Sequence, residues 1–155
     1  MNETFRQFIE SLESSFQRLM NMTPVSVASL PMDAPQSGIY LFSENGQHLY
    51  VGRTNTIRKR LQNHCRPSSG HNSATFAFRL AREITGQTVA TYTEQGSRTH
   101  LENDPVFRPV FIDQKVRVKN MDVRYVSEPD QMRQALLEMY VSVSLQTPHN
   151  DFDNH

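Results

Sequence analysis

At 155 residues, 37% of them apolar, the chain has room for one ordinary domain with its own core. A single cysteine, Cys65, excludes a disulfide framework and a cysteine-rich zinc site, and fits a reducing, cytoplasmic setting. A formal net charge of +0 argues against a general nucleic-acid coat protein, and no long apolar run or basic-then-apolar N-terminus suggests a membrane span or secretion signal.

The first element is an amphipathic helix. Phe5, Phe8, Ile9, Leu12, Phe16, Leu19 and Met20 recur at steps of three and four. That stripe packs on its own domain or on a partner. Residues 23–37 carry Pro24, Pro31 and Pro35 and read as an irregular connection, so residues 1–36 form a leading segment and 37–155 the main domain. A β-hairpin follows: strands over 38–43 and 48–53 flank Glu44-Asn45-Gly46-Gln47, whose Asn-Gly pair signals a tight turn.

Thr54 to Thr56 offer capping hydroxyls for a helix whose buried stripe is Ile57, Leu61 and Cys65. This is where charge concentrates. Arg53, Arg58, Lys59, Arg60 and Arg66 are accompanied by no acidic residue between 53 and 66. Such a segment either contacts a polyanion or forms a solvated helix face, and its composition leaves both open. A second helix is expected over 73–85, stopped by Gly86, with Phe76, Ala77, Leu80, Ala81 and Ile84 inward.

From 87 to 110 the pattern is poor and reads as a long loop or insertion, with a short strand at 89–93. Strands are expected at 115–119 and 121–126, and a final helix from about Ser127 to Gln146 with Pro129 in its first turn. The order predicts a small α+β domain: a short antiparallel or mixed sheet flanked by helices.

Three places in this pattern can carry chemistry. Tyr40 and Tyr50 lie on facing strands, with Gly38 and Gly52 beside them where a glycine allows close approach of another group. Two tyrosines filling a half-buried sheet explain the same residues. Arg60 and His64 fall on one helix face bordering the apolar stripe, where a planar, permanently charged guanidinium is suited to a phosphate. His64 taken alone reads as a hydrogen-bonded border residue sooner than as a base. Glu138 sits in the apolar run Ala135-Leu136-Leu137-Glu138-Met139-Tyr140-Val141, where a carboxylate requires protonation, an arginine or a cation.

Gly38-Ile39-Tyr40, nine residues, Tyr50-Val51-Gly52, then Arg60, a later helical Glu138 and a late Asn150 together resemble the GIY-YIG nuclease family. The resemblance spans roughly 37–155. It implies a metal-dependent DNA endonuclease that hydrolyses phosphodiester bonds with one divalent ion, Mg²⁺ or Mn²⁺. Tyr40 would then be the general base or the hydroxyl that orients the attacking water. Tyr50 would position the nucleophile or the scissile phosphate, and Arg60 would stabilise phosphoryl charge.

On the same resemblance Glu138 would hold the metal, and Asn150 would support the site through hydrogen bonds. His64 matches a position that is a catalytic-site histidine or tyrosine in some members. Arg53, Arg58, Lys59 and Arg66 would contact DNA phosphates. One departure matters: Arg53 stands where many relatives have lysine, and arginine cannot shed its proton, so it serves as a partner rather than a base. The alternative on the same scaffold is a DNA-binding module without turnover. Cutting both strands would require a homodimer, for which the N-terminal stripe is a candidate interface, or repeated events. Targeting could reside in 87–110, in the N-terminal helix or in a separate protein.

Overall fold

A computed structural model describes residues 1–87 and 97–152. The chain divides into two compact units. The first comprises 1–58 and 122–155, the second 59–121.

The first unit is built on a three-stranded antiparallel sheet. Strands β1 (Gly38–Glu44), β2 (Gln47–Thr54) and β3 (Asp122–Ser127) lie in the order β2-β1-β3. The expected hairpin is present, and Asn45 and Gly46 both adopt positive φ (54° and 78°), as a two-residue turn matched to strand twist requires. Tyr40 pairs with Gly52 and Phe42 with Tyr50, and a register irregularity follows between Phe42 and Ser43. Central β1 is buried along almost its whole length.

The N-terminal stripe forms two helices rather than one: α1 (Glu3–Ser11) and α2 (Glu13–Asn21), broken at Leu12. Leu12 and Leu19 are fully buried in one cluster with Ile39, Leu41, Val51 and Val126. Phe8, Ile9, Phe16 and Met20 pack against that cluster. The apolar face is therefore used within the unit; of its residues only Phe5 remains largely exposed. Helix α7 (Gln131–Leu145) contributes Leu137 and Val141 to the same cluster. It begins four residues later than the sequence pattern indicates. Asp130 is the N-cap, accepting from the Arg133 amide at 2.8 Å, so Pro129 precedes the helix instead of entering its first turn.

The second unit is helical. Helix α3 (Ile57–Cys65) starts in the first unit and continues into the second, with Leu61 fully buried and Cys65 nearly so. Then come α4 (Thr75–Thr85), α5 (Arg98–Asn103) and α6 (Phe107–Lys119). Gly86 ends α4 in the left-handed conformation, as the sequence indicates. The buried face of α4 includes Phe78, which stacks among Phe107 and Phe111 at 5.1 and 5.3 Å, whereas Ile84 is exposed.

The strand expected at 115–119 is helix. Phe107, Phe111, Gln114, Lys115 and Val118 form its buried face at helical spacing, which overrides the β preference of Val116 and Val118. Asp104 starts α6 by accepting from the amides of Val106 and Phe107, both at 2.9 Å, and Pro109 sits in the first turn where an amide is not needed. Thus 98–103 and 107–110, expected as loop, are helical. The strand expected at 89–93 falls outside the described residues.

Candidate active site

Strand alternation sorts the first unit's side chains by face. Tyr40 and Phe42 on β1, Tyr50 and Gly52 on β2, and Tyr125 on β3, opposite Tyr40, share one face. Ile39, Leu41, Val51 and Val126 face the other way, into the apolar cluster with α7. The Tyr40 and Tyr50 rings lie 6.5 Å apart, and Tyr40 meets Phe42 edge-on at 5.8 Å.

Gly52 makes this arrangement possible. A Cβ there would lie 2.2 Å from the Tyr40 hydroxyl and 2.3 Å from its ring, so Tyr40 lies across the space a side chain would fill. At Gly38 a Cβ would come within 1.9 Å of the Val126 carbonyl oxygen. Both glycines of the paired tripeptides thus mark close approach. Tyr40 is 1% exposed, whereas Tyr50 is only half-buried, so Tyr50 is the more accessible phenol of the pair.

The outer edge of β2 explains Glu138 and Asn150 together. Because β2 is an edge strand, the Leu49 carbonyl, the Val51 amide and carbonyl and the Arg53 amide find partners beyond the sheet. The His149 amide donates to the Leu49 carbonyl at 3.2 Å. Asn150 grips Val51 from both sides: its Oδ1 accepts from the Val51 amide at 2.9 Å and its Nδ2 donates to the Val51 carbonyl at 2.7 Å. The Thr147 hydroxyl donates to the same Oδ1 at 2.8 Å and is itself linked to Ser142. The Arg53 amide donates to the Glu138 carboxylate.

Glu138 is half-buried on α7. Burial pushes its carboxyl above the usual carboxylate range, and the positive charge and amide of Arg53 only partly offset this. The Arg53 guanidinium also reaches the Gln131 carbonyl at 3.4 Å. Arg53 is therefore a partner of α7 and Glu138. Among the described residues, no three or more His, Cys, Asp or Glu gather as a metal cage. A lone, desolvated carboxylate nevertheless fits a divalent ion that keeps most of its water, since the cation would offset the burial of the charge.

In the second unit Arg60 is held by neutral oxygens. Its Nη1 donates to the Ser73 carbonyl at 3.0 Å and more weakly to that of Asn72, and its Nη2 donates to the Thr75 hydroxyl at 3.0 Å. These contacts fix the plane of the guanidinium without neutralising it. His64 departs from the expected border position: it is fully buried. Burial, reinforced by the charge of Arg60, holds its pKa well below the usual histidine value, so the ring is neutral at pH 7. Of the other basic residues, Arg58 donates to the Pro31 carbonyl, while Arg53, Lys59 and Arg66 are exposed.

Residues 36–141 match the family model for the GIY-YIG catalytic domain. The chain belongs to the GIY-YIG family. The match covers more than half of the chain and includes Tyr40, Tyr50, Arg60, His64 and Glu138; Asn150 lies beyond it. No curated protein and no solved structure shows a significant match. The family is one of nucleases, and its small α+β fold agrees with the sheet and helices described above. Among the described residues no helix is long and apolar enough to cross a membrane. Sequence reasoning missed Thr147 and Ser142 behind Asn150. Ser142 within the last turns of an apolar helix and Thr147 just after it were the available signal, but only the folded turn links them to Asn150 at the edge of β2.

Proposed function

We propose that the chain is a divalent-metal-dependent DNA endonuclease that hydrolyses phosphodiester bonds. The observation that carries this reading is the tyrosine face: Tyr40 packed over Gly52 with Tyr50 beside it, in a chain of a nuclease family. Tyr40 and Tyr50 orient the attacking water and take its proton; of the two, Tyr40 is the base. A phenol with an ordinary pKa of about 10 requires nearby positive charge for this step. Arg60 balances the charge that develops on the phosphoryl oxygens.

Glu138 is the residue that would hold Mg²⁺ or Mn²⁺, and the ion, when bound, would polarise the phosphate. Arg53 positions Glu138 through its amide and charge. Asn150 positions Tyr50 and Gly52 by fixing Val51 between them. His64, buried and neutral, backs Arg60 rather than meeting substrate. Arg66 and Lys59 offer exposed charge to DNA, and residues 87–110 are a place for target recognition. With the N-terminal stripe used internally, a homodimer would form through another surface, and a separate targeting protein would serve the same end.

A supercoiled plasmid incubated with purified protein tests the reading. Nicking in Mg²⁺ or Mn²⁺ that EDTA abolishes supports it. Tight DNA binding without nicking in either ion would instead indicate a binding module on the same scaffold.

A further inference from the structure

The second unit contains a feature that the tyrosine site does not use. Lys115, on the inner face of α6, is only 5% exposed. Its ammonium donates to the carbonyls of Pro67 at 2.7 Å and Ser69 at 2.9 Å, and lies over the Phe111 ring at 4.4 Å. Beyond these two carbonyls the ammonium has no oxygen or nitrogen acceptor among the described residues. This buried cation lines a cavity of about 180 Å³ closed by the 67–70 loop, the end of α5 and one face of α6.

Two other charged side chains line the same cavity, Arg108 and Glu102. Arg108 lies seven residues before Lys115, on the same side of α6, and is exposed. It makes no side-chain hydrogen bond or ion pair among the described residues. Glu102 is already engaged, accepting from both the amide and the ring Nδ1 of His71. Two cations and one carboxylate leave the lining one unit positive.

A lysine needed only to tie down the 67–70 loop would not call for a second, unpaired cation at an open polar cavity. Burying an ammonium is costly, and an anion in the cavity beside it would offset that cost. The net charge of the lining selects the anion. A phosphodiester carries a single negative charge and matches it, whereas a phosphate dianion would also face the Glu102 carboxylate. Ser68 and Asn103, also in the lining, can donate to the remaining phosphate oxygens.

We propose that this pocket of the second unit seats a backbone phosphodiester of the nucleic acid, one that is held rather than cleaved. The inference rests on the nuclease reading for the identity of its ligand, but not on turnover. Its role is to position the strand, as phosphate contacts generally do.

The test uses the full chain in metal-free buffer and a thymidine hexanucleotide without terminal phosphates, followed by amide NMR and by affinity across a salt series. Saturable shifts at Ser68, Ser69, Gly70 and Asn103 are expected. Arg108→Glu, an exposed change that leaves the buried core untouched, should abolish them, and Arg108→Ala should lower the salt dependence of binding by about one counterion. Shifts that persist in Arg108→Glu would overturn the proposal. So would a response to inorganic phosphate alone with none to the oligonucleotide. Loss of plasmid nicking in Arg60→Ala with these shifts intact would leave the pocket standing, whereas failure of the wild type to nick in any divalent ion counts only against the nuclease reading.

Discussion

The two units hold their candidate functional residues by different means. In the first, Tyr40, Tyr50, Glu138 and Asn150 are placed by a sheet: strand register sets which phenols share a face, and the edge of β2 fixes the carboxylate and the amide. In the second, Arg60 and Lys115 are cations held by neutral oxygens at helix ends and loops, without an acidic hydrogen-bond partner among the described residues. A sheet site is specified by backbone pairing, so small steric changes should be felt strongly there. A cation tied to carbonyls keeps its charge available for an anion.

That contrast can be broken first at the tyrosines. Tyr40→Phe removes a hydroxyl but keeps the ring over Gly52, and should slow cleavage by about 10²–10³-fold with little change in stability. A single-turnover plasmid assay beside urea denaturation reads both. If the rate is unchanged, Tyr50 is the base and the two roles exchange. Next comes the steric claim. Gly52→Ala forces Tyr40 to move and should destabilise the fold by about 1–3 kcal/mol, read from the urea midpoint. Wild-type stability in this variant would show that the ring has room the packing does not suggest.

Asn150→Ala removes both partners of Val51 on the β2 edge. It should cost about 1–2 kcal/mol, below the value for two buried groups because water reaches part of that edge. Amide exchange at Val51 should accelerate with it, while the second unit's amides stay as they were.

The smallest effect expected is the pH response of His64, in the second unit. Its folded pKa is depressed well below the ordinary histidine value of 6.5, so the unfolded chain takes up the proton first as pH falls. The contribution is fully present above pH 6.5 and is lost progressively as pH drops toward the folded value. Urea midpoints between pH 5 and 8 should therefore decline on the acid side for the wild type and less steeply for His64→Gln. Equal slopes would mean that the ring is accessible in the folded state.

Much of the first unit was legible because its signals are local. The Asn45-Gly46 turn fixes the hairpin, and the hairpin brings Gly38, Tyr40, Tyr50 and Gly52 together from a span of fifteen residues. Ile57, Leu61 and Cys65 marked α3 for the same reason. Glu138 stood out as a carboxylate in an apolar run, although its bond to the Arg53 amide depends on where α7 meets β2. Less legible were features decided by tertiary packing. Val116 and Val118 suggested a strand, yet Phe107, Phe111, Gln114 and Val118 are buried together, and only a helix places that spacing of three and four on one side. The break at Leu12 and the burial of Lys115 left no trace in periodicity.

The central claim is that Glu138 is a carboxylate kept for a cation rather than for the fold. Burial raises its pKa, so the charged form is disfavoured in the folded state, and Glu138→Gln should leave stability at pH 7 unchanged or higher. The same variant should lose about 10³-fold in the Mg²⁺-dependent nicking rate of a supercoiled plasmid. Measuring nicking rate and thermal midpoint on one preparation tests this most directly. Retained stability with lost cleavage is the predicted result; retained cleavage, or cleavage lost only because the variant unfolds, would contradict it.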